Sequence, residues 1–428
     1  MKRSFILPLS RLALVSLTTL CSSAALFAQF PGWPSPSQST APKAGSPALA
    51  KPKPAPMVLT TTPTHYNKVI NGSLRYDTEG RHINVHGGGV MFYEGTYYWY
   101  GEYRNPRKEG QPGTAGVGCY TSKDLYNWKN EGVVLETIKN DPSHDFTAGC
   151  TIERPKVIYN AKTGKFVMWF HLELKDKGYT AARAALAVGD RPLGPFKYIR
   201  SGRVNAGKWP INFKEENKTA LNDEQWKAER EKLKERSAEE GVTTRRDFLG
   251  GQMSRDMTLY VDDDGKAYQI TSAEGNYTLH IHELTDDYQG FTGKWARIVP
   301  GGHNEAPAMC KHSGKYYILC SAATGWDPNP ARVLAASSIW GPYQNVGNPC
   351  QGTTNPFNKM GPNKTFGGQS THIFAIQGKK NDLVAMFDIW RPQVQLLESG
   401  HIWLPIEWQD DKMVIRWRDE WDLSAFAP

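Results

Sequence analysis

Beyond about Thr60 the chain alternates short runs of β-branched and aromatic residues with Gly, Asn and Asp punctuation, the pattern of antiparallel strands joined by tight turns. One module recurs: a polar residue, an apolar strand, a Gly or Asp-Gly turn, a strongly aromatic strand, then a third strand closing on an aromatic near Gly-Pro. Its copies open at HGGGVMFYEGTYYWYGEY, ERPKVIYNAKTGKFVMWFHLE, RDMTLYVDDDGKAYQITSAEG, EAPAMCKHSGKYYILCSAATGW and GQSTHIFAIQGKKNDLVAMFDIW. Five such units predict an all-β fold, a five-bladed β-propeller over residues 59–428, because radial repetition leaves only short, protected sheet edges. The segment from Thr60 to Ile83 is expected to supply the strand that closes the ring.

One stretch breaks this rhythm. Residues 212–248 are charged, helix-forming and almost free of β-branched residues, with Leu221, Trp226 and Leu233 at roughly helical spacing. A helical insertion between the second and third modules is expected. Its charges read as a solvated face, with partner binding as the lesser alternative.

The first residues follow different rules. Met1-Lys2-Arg3 and the apolar run from Phe5 to Phe27 form a secretory signal over 1–28, with small residues at the cleavage site. Ser10, Arg11, Ser16, Thr18 and Thr19 make the same run a poor membrane anchor, and nothing later resembles a span. Residues 29–58 are a Pro/Ser/Ala-rich linker. The expected location is therefore secreted or periplasmic, and a monomer is expected.

The formal charge of +8 invites a nucleic-acid partner. Six cations and no acid fall within residues 1–58, however, so the rest carries 45 cations against 43 anions. Nucleic acid is excluded as a partner on that count. The 11% aromatic content is the better clue, marking repeated strands and flat surfaces on which a sugar can stack. Cys310 and Cys320 flank one hairpin, so in an oxidising compartment they either bridge or stay as buried thiols. No Cys/His spacing suggests zinc.

In a propeller the innermost strands begin at one end of a central funnel, so the module-opening residues His86, Glu153, Asp256, Glu305 and Gln369 converge there, with Glu102 ending a second strand. Carboxyl groups gathered in a confined pocket are pushed to different pKa values. Such a set suits glycoside hydrolysis, which needs one protonated carboxyl and a second group that activates water or attacks the sugar. Trp99, Tyr179, Trp326 and Trp390 are candidate sugar platforms. Some of the carboxylates are equally able to bind blade amides or neighbouring cations.

From about Asn84 to Trp421 the ordered series HGGG, YYWYGE, SKDLYNW, ERPKVIYN, SRDMTLYVDDDG, EAPA, TGW and FGGQST resembles glycoside hydrolase family 43, in the branch containing exo-β-1,3-galactanases. The resemblance implies a five-bladed propeller, an inverting mechanism and a galactan or arabinogalactan substrate. It implies that Glu305 is the general acid and that Asp256 orients it and sets its pKa. Most of the family carries an Asp base where this chain has His86; in the galactanase branch a Gln positions the water instead, and Gln369 matches it. Glu102 and Glu153 match sugar-binding carboxylates, and Tyr179, Asn276 and Thr324 match further contacts more loosely. A neutral amide is a poor base, which leaves Glu102 and Glu153 as alternatives.

Two departures lie near the funnel: His372 follows QST where an apolar residue is usual, and DIWRP (residues 388–392) replaces GDRW. They leave open a β-galactofuranosidase, an α-L-arabinofuranosidase or a glycan-binding propeller without catalysis. No cofactor is required by this chemistry, although some family members hold a calcium ion in the central channel. The acidic run Asp262-Asp263-Asp264-Gly265 reads as a hairpin turn rather than a cation loop.

Overall fold

In the computed structural model, residues 64–104, 114–377, 379–392 and 396–426 are described, all within the unit 53–428. The signal and linker expected over 1–58 lie outside them. The first described strand, β1 (Val69–Ile70), precedes blade I, which consists of β2 (His86–Tyr93), β3 (Thr96–Arg104), β4 (Thr114–Ser122) and β5 (Lys129–Glu136). Blade II is β6 (Thr151–Asn160), β7 (Lys165–Glu173), β8 (Arg183–Gly189) and β9 (Lys197–Gly202). The charged segment then forms α1 (Asp223–Leu233), α2 (Arg236–Glu239) and α3 (Val242–Arg246). Blade III is β10 (Met257–Val261), β11 (Ala267–Ala273), β12 (Thr278–Leu284) and β13 (Phe291–Ile298). Blade IV is β14 (Asn304–His312), β15 (Lys315–Ala322), β16 (Arg332–Ala336) and β17 (Gln344–Gly347). After β18 (Cys350–Gln351) comes blade V, β19 (Gln369–Ile376), β20 (Lys379–Ile389), β21 (Gly400–Gln409) and β22 (Lys412–Arg416); the chain then pairs once more through β23 (Glu420–Trp421).

Each blade is an antiparallel meander, and the innermost strands β2, β6, β10, β14 and β19 pack side by side around the axis. Blade V gains a fifth strand because β18 runs parallel to β22. The core is divided accordingly into apolar clusters, one between each neighbouring pair of blades. The HGGG sequence answers to the narrowness of the axis. A Cβ on Gly88 would stand 1.7 Å from the Tyr100 carbonyl, and one on Gly89 would stand 2.8 Å from Lys156 Cδ.

Ring closure differs in detail from the expectation. Among the described residues the segment before Ile83 adds no strand to a blade; β1 instead pairs with β23 as a separate two-stranded ribbon. Asn71, fully buried, fastens it: Nδ2 donates to the carbonyls of Trp403 and Arg418, and Oδ1 accepts from the Trp403 amide at 2.7 Å. Around this point Trp99, Trp128 and Trp403 meet edge to face, with the Arg75 guanidinium 4.4 Å from the Trp403 ring. Trp99 is thus core between blades V and I, not a sugar platform.

Cys119, Cys150, Cys310, Cys320 and Cys350 are buried free thiols, so of the two readings for Cys310 and Cys320 the bridge is absent. Cys310 faces Tyr317 across the hairpin and Cys320 faces Arg332, which keeps the two thiols out of register. The run from Asp262 does form a turn, capped by Lys311 on Asp262 and Asp263. In the inserted segment Leu221, Trp226 and Val242 share a small core, with Leu233 against it. No helix among the described residues is long and apolar enough to cross a membrane.

If Asn71 holds the ring shut, Asn71→Leu strands a buried amide and two carbonyls, and unfolding by denaturant should show a loss on the order of 3 kcal/mol. A loss below about 0.5 kcal/mol, the scale of an ordinary surface change, would place closure elsewhere.

Candidate active site

Three innermost strands begin with the same backbone device. The residue after the module-opening one, Gly87, Arg154 or Ala306, has φ of 61°, 55° or 53°, and the strand pairing shifts register just beyond it. Such a bulge turns the preceding side chain and leaves an amide outside the ladder. In all three blades that amide is caught by a carboxylate of the preceding blade. Gly87 N–H donates to Asp388 (3.0 Å), Arg154 N–H to Glu102 (3.2 Å) and Ala306 N–H to Asp256 (3.1 Å). A left-handed residue other than Gly costs roughly 1–2 kcal/mol. A hydrogen bond to a charged group returns about 1.5–3 kcal/mol, enough to hold the bulge.

Arg154 ties the resulting mouth together. Its side chain is buried, and Nη2 donates both to Asp256 Oδ2 (2.9 Å) and to Gln369 Oε1 (2.7 Å), while Nη1 reaches the Ser370 carbonyl. Burial works against its charge, but Asp256, Asp388 and Glu102 hold it protonated. Gln369 Oε1 also accepts from Trp390 Nε1 (2.8 Å), and Nε2 donates to Ser321 Oγ (3.0 Å). Guanidinium and indole nitrogens are donors only, so the atom facing them must be the amide oxygen. One Nε2 hydrogen remains for a ligand.

The carboxyls are driven apart in protonation. Burial, reinforced by Asp256, pushes Glu305 up to about 8, although Arg154 and a hydrogen bond from Asn276 Nδ2 pull the other way. Desolvation also works to raise half-buried Glu153, yet hydrogen bonds from His171 Nδ1 (3.0 Å) and Tyr179 Oη (2.5 Å) bring it down to about 2. His171 sits between Glu153 and Glu173, whose carboxylate is 2.9 Å from Nε2; against the effect of burial these two acids raise it to about 9. Glu102 is raised by burial and paired with Arg104, fully enclosed behind the mouth.

The remaining candidates divide. Trp326, 39% exposed, meets Trp390 edge to face at 5.4 Å beside Gln369, and these two rings line an open cleft; Tyr179, 47% exposed, stands over Glu153. Thr324 is exposed but gives its hydroxyl proton to the Asp327 carbonyl and accepts from Asn329, shaping its own loop. His86 departs furthest from expectation. It is fully buried, stacked on His401 at 5.0 Å, and touches no open surface. Arg154, His171, Glu173, Ser321, Lys156 and Asp388 are neighbours of the site that were not among the expected site residues; Arg154 and Lys156 lie within ERPKVIYN and Asp388 opens DIWRP, whereas His171, Glu173 and Ser321 carry no such signal.

The residues do not fit a calcium ion, which takes six to eight oxygen ligands. Below the mouth Lys156 Nζ already donates to the Gly87 and Arg154 carbonyls (2.8 and 3.4 Å), and burial next to Arg154 lowers it to about 7. The His86, Asp388 and His401 group offers two nitrogens to one carboxylate, and the parallel imidazoles direct their in-plane lone pairs along parallel planes rather than at one point. The other cluster, Glu153, His171 and Asp256, is occupied by the His171 proton and the Arg154 guanidinium.

A five-bladed ring that gathers a proton-bearing carboxyl, an ionised carboxylate, an oriented amide and exposed aromatic rings at one mouth is the architecture of a glycoside hydrolase. Residues 236–414 match the model of glycosyl hydrolases family 43. A family 43 beta-1,3-galactosidase solved with galactodeoxynojirimycin is 50% identical, with 83% of this chain and 100% of that one covered and a TM-score of 0.77. An exo-beta-1,3-galactanase from Clostridium thermocellum is 32% identical over 83% of this chain and 66% of its own, at TM-score 0.65. One from Phanerochaete chrysosporium, solved with beta-1,3-galactotriose, is 26% identical over 85% of this chain and 69% of its own, also at 0.65. A curated protein of Xylanibacter ruminicola, provisionally named a beta-xylosidase, matches over only 86 residues at 29% identity, 16% of its length. The chain belongs to family 43 of the glycosyl hydrolases.

Because the folded His171 pKa is raised, its contribution to stability is complete below about 6.5 and disappears as pH rises through about 9. In urea titrations the stability gap between wild type and His171→Asn should accordingly be widest near pH 6 and shrink above pH 9. A gap independent of pH would remove the charged imidazole from the account.

Proposed function

We propose that the protein is an exported, exo-acting, inverting β-1,3-galactanase that releases galactose, with Glu305 as general acid. The observation that carries this reading is Glu305 itself: pushed up to about 8, it keeps its proton at neutral pH and is held by Asn276 where that proton can be given to a glycosidic oxygen. The beta-1,3-galactosidase and exo-beta-1,3-galactanase names of the most similar solved structures support the choice of sugar. The leader-like residues 1–28 support export.

In this mechanism Glu305 protonates the departing oxygen, the C1–O bond breaks, and water adds to C1 from the opposite face, passing its surplus proton to solvent once the new C1–O bond has formed; Glu305 later regains its proton from solvent. Asp256 accepts from Arg154 and the Ala306 amide, and its charge helps keep the proton on Glu305. Gln369 acts by orientation. An imidic form would need to donate a proton from Oε1, yet both partners of that oxygen are themselves donors. Its free Nε2 hydrogen holds the water or a neighbouring hydroxyl instead. The transition state is oxocarbenium-like, so water needs placement before it needs a strong base. Ionised Glu153, with Tyr179 beside it, grips sugar hydroxyls, while Glu102 is too enclosed to meet water.

Two measurements test the reading. Incubation with β-1,3-galactan should yield galactose as the α-anomer first, seen by NMR; no product from galactan or from aryl galactosides, with binding retained, would leave a lectin-like propeller. Glu305→Gln should lower kcat on galactan by about 10²–10⁴-fold. In wild type kcat/KM should fall as pH rises through about 8, where Glu305 loses its proton, and the variant should lack that limb. Near-normal turnover by the variant would reassign the acid.

A further inference from the structure

In every blade the innermost strand runs away from the mouth and the second strand returns, so the turn between the second and third strands stands at the mouth. In blade III that turn is residues 274–277, between β11 and β12. It delivers Asn276, the hydrogen-bond donor to Glu305, and beside it the half-buried ring of Tyr277. The connection into blade IV brings exposed His303 two residues ahead of Glu305. The Tyr277 and His303 rings lie 4.2 Å apart, and His303 N–H donates to the Tyr277 carbonyl at 3.2 Å.

The inserted helices complete this wall. Arg230 of α1 points Nη2 at Tyr277 Oη (3.4 Å), with its guanidinium carbon 5.7 Å from the ring centre. The wall is anchored by a buried ion cluster at the base of the same turn. Glu274 accepts from Arg297 Nε (2.6 Å), from Thr244 Oγ1 of α3 (2.9 Å), and lies 2.9 Å from His280 Nε2; Arg297 in turn donates to the Ala238 carbonyl of α2. Insertion, turn and the partner of the acid therefore form one unit.

A general acid gives its proton to the oxygen shared by two sugars. Groups that flank it on the open side of the mouth must consequently meet the sugar that leaves. We propose that Tyr277, His303 and Arg230 form the leaving-group subsite, which takes the pyranose ring of the departing β-1,3-galactan chain. The aromatic pair packs against its C–H face and Arg230 donates to its hydroxyls. This subsite rests on the galactanase reading above. It also accounts for the helical insertion, which supplies one side of a site whose other residues come from blades III and IV.

The test compares β-1,3-galactotriose, which fills the subsite, with β-galactosyl fluoride, whose leaving group has no sugar to place there. For Tyr277→Ala, His303→Ala and Arg230→Gln, the loss of kcat/KM on galactotriose should exceed the loss on the fluoride by about tenfold, the worth of one good ring contact. Tyr277→Phe keeps the ring and should recover most of it. Equal losses on both substrates, or none on either, would overturn the subsite while leaving the galactanase reading intact. A wild-type enzyme inactive on both substrates would overturn the reading and the subsite together. Matching thermal unfolding midpoints identify variants that fold.

Discussion

A carboxylate of one blade holding the bulge amide of the next is the interaction on which the rest of this molecule depends. Asp388, Glu102 and Asp256 do this for Gly87, Arg154 and Ala306. Without that bond a left-handed Arg154 or Ala306 would relax into the ladder, and Glu153 and Glu305 would turn away from the mouth. The same bond joins neighbouring blades at their narrowest point, where Gly is needed because Glu102 Oε1 stands 2.3 Å from where a Gly87 Cβ would be. Structural and chemical roles are therefore not alternatives for these acids.

Electrostatics follow from this arrangement. Five carboxyls near one axis (Glu102, Glu153, Asp256, Glu305 and Asp388) cannot all stay charged unless cations share the space. Arg154 pairs with Asp256 and His171 with Glu153, whereas Glu305 accepts from the neutral amide of Asn276 and faces the charge of Asp256. At the mouth, burial and the charge of Asp256 together leave the proton on Glu305. Acid and anions are thus distinguished by which partner each blade provides, not by the side chains, which are chemically alike.

Much of this was legible in the sequence. The five modules fixed blade number and the position of the module-opening side chains, because strand alternation and turn chemistry are local. Long-range register was not legible. Nothing in NVHGGG says that His86 lies beneath the mouth against His401, since that contact joins positions 315 residues apart. Trp99 looked like a platform because an aromatic strand reads the same whether its rings face a channel or a neighbouring blade. His171 escaped notice for a related reason: it is a lone histidine in an apolar stretch of its strand, and only the acids brought beside it give it a charge state. Asn276 and Glu305 lay in separate modules, and the ring alone makes them neighbours.

Closure and chemistry meet in blade V. Gln369 opens β19, and its partner across the pair is Asp388 on β20, the residue that catches Gly87 of blade I. Two positions further on, Trp390 fixes the oxygen of Gln369. One strand end thus sets the amide, secures the first bulge and lines the cleft, and its inner residues pack in the aromatic cluster that closes the ring. Asp388 is buried and pushed up to about 7, so its hold on Gly87 weakens as it gains a proton. In the proposed mechanism Gln369 serves through its neighbours, Arg154, Trp390 and Ser321, which fix its orientation, and not through basicity of its own. That orientation depends in turn on blades V and I staying in register, which makes the seam of the propeller part of its active site.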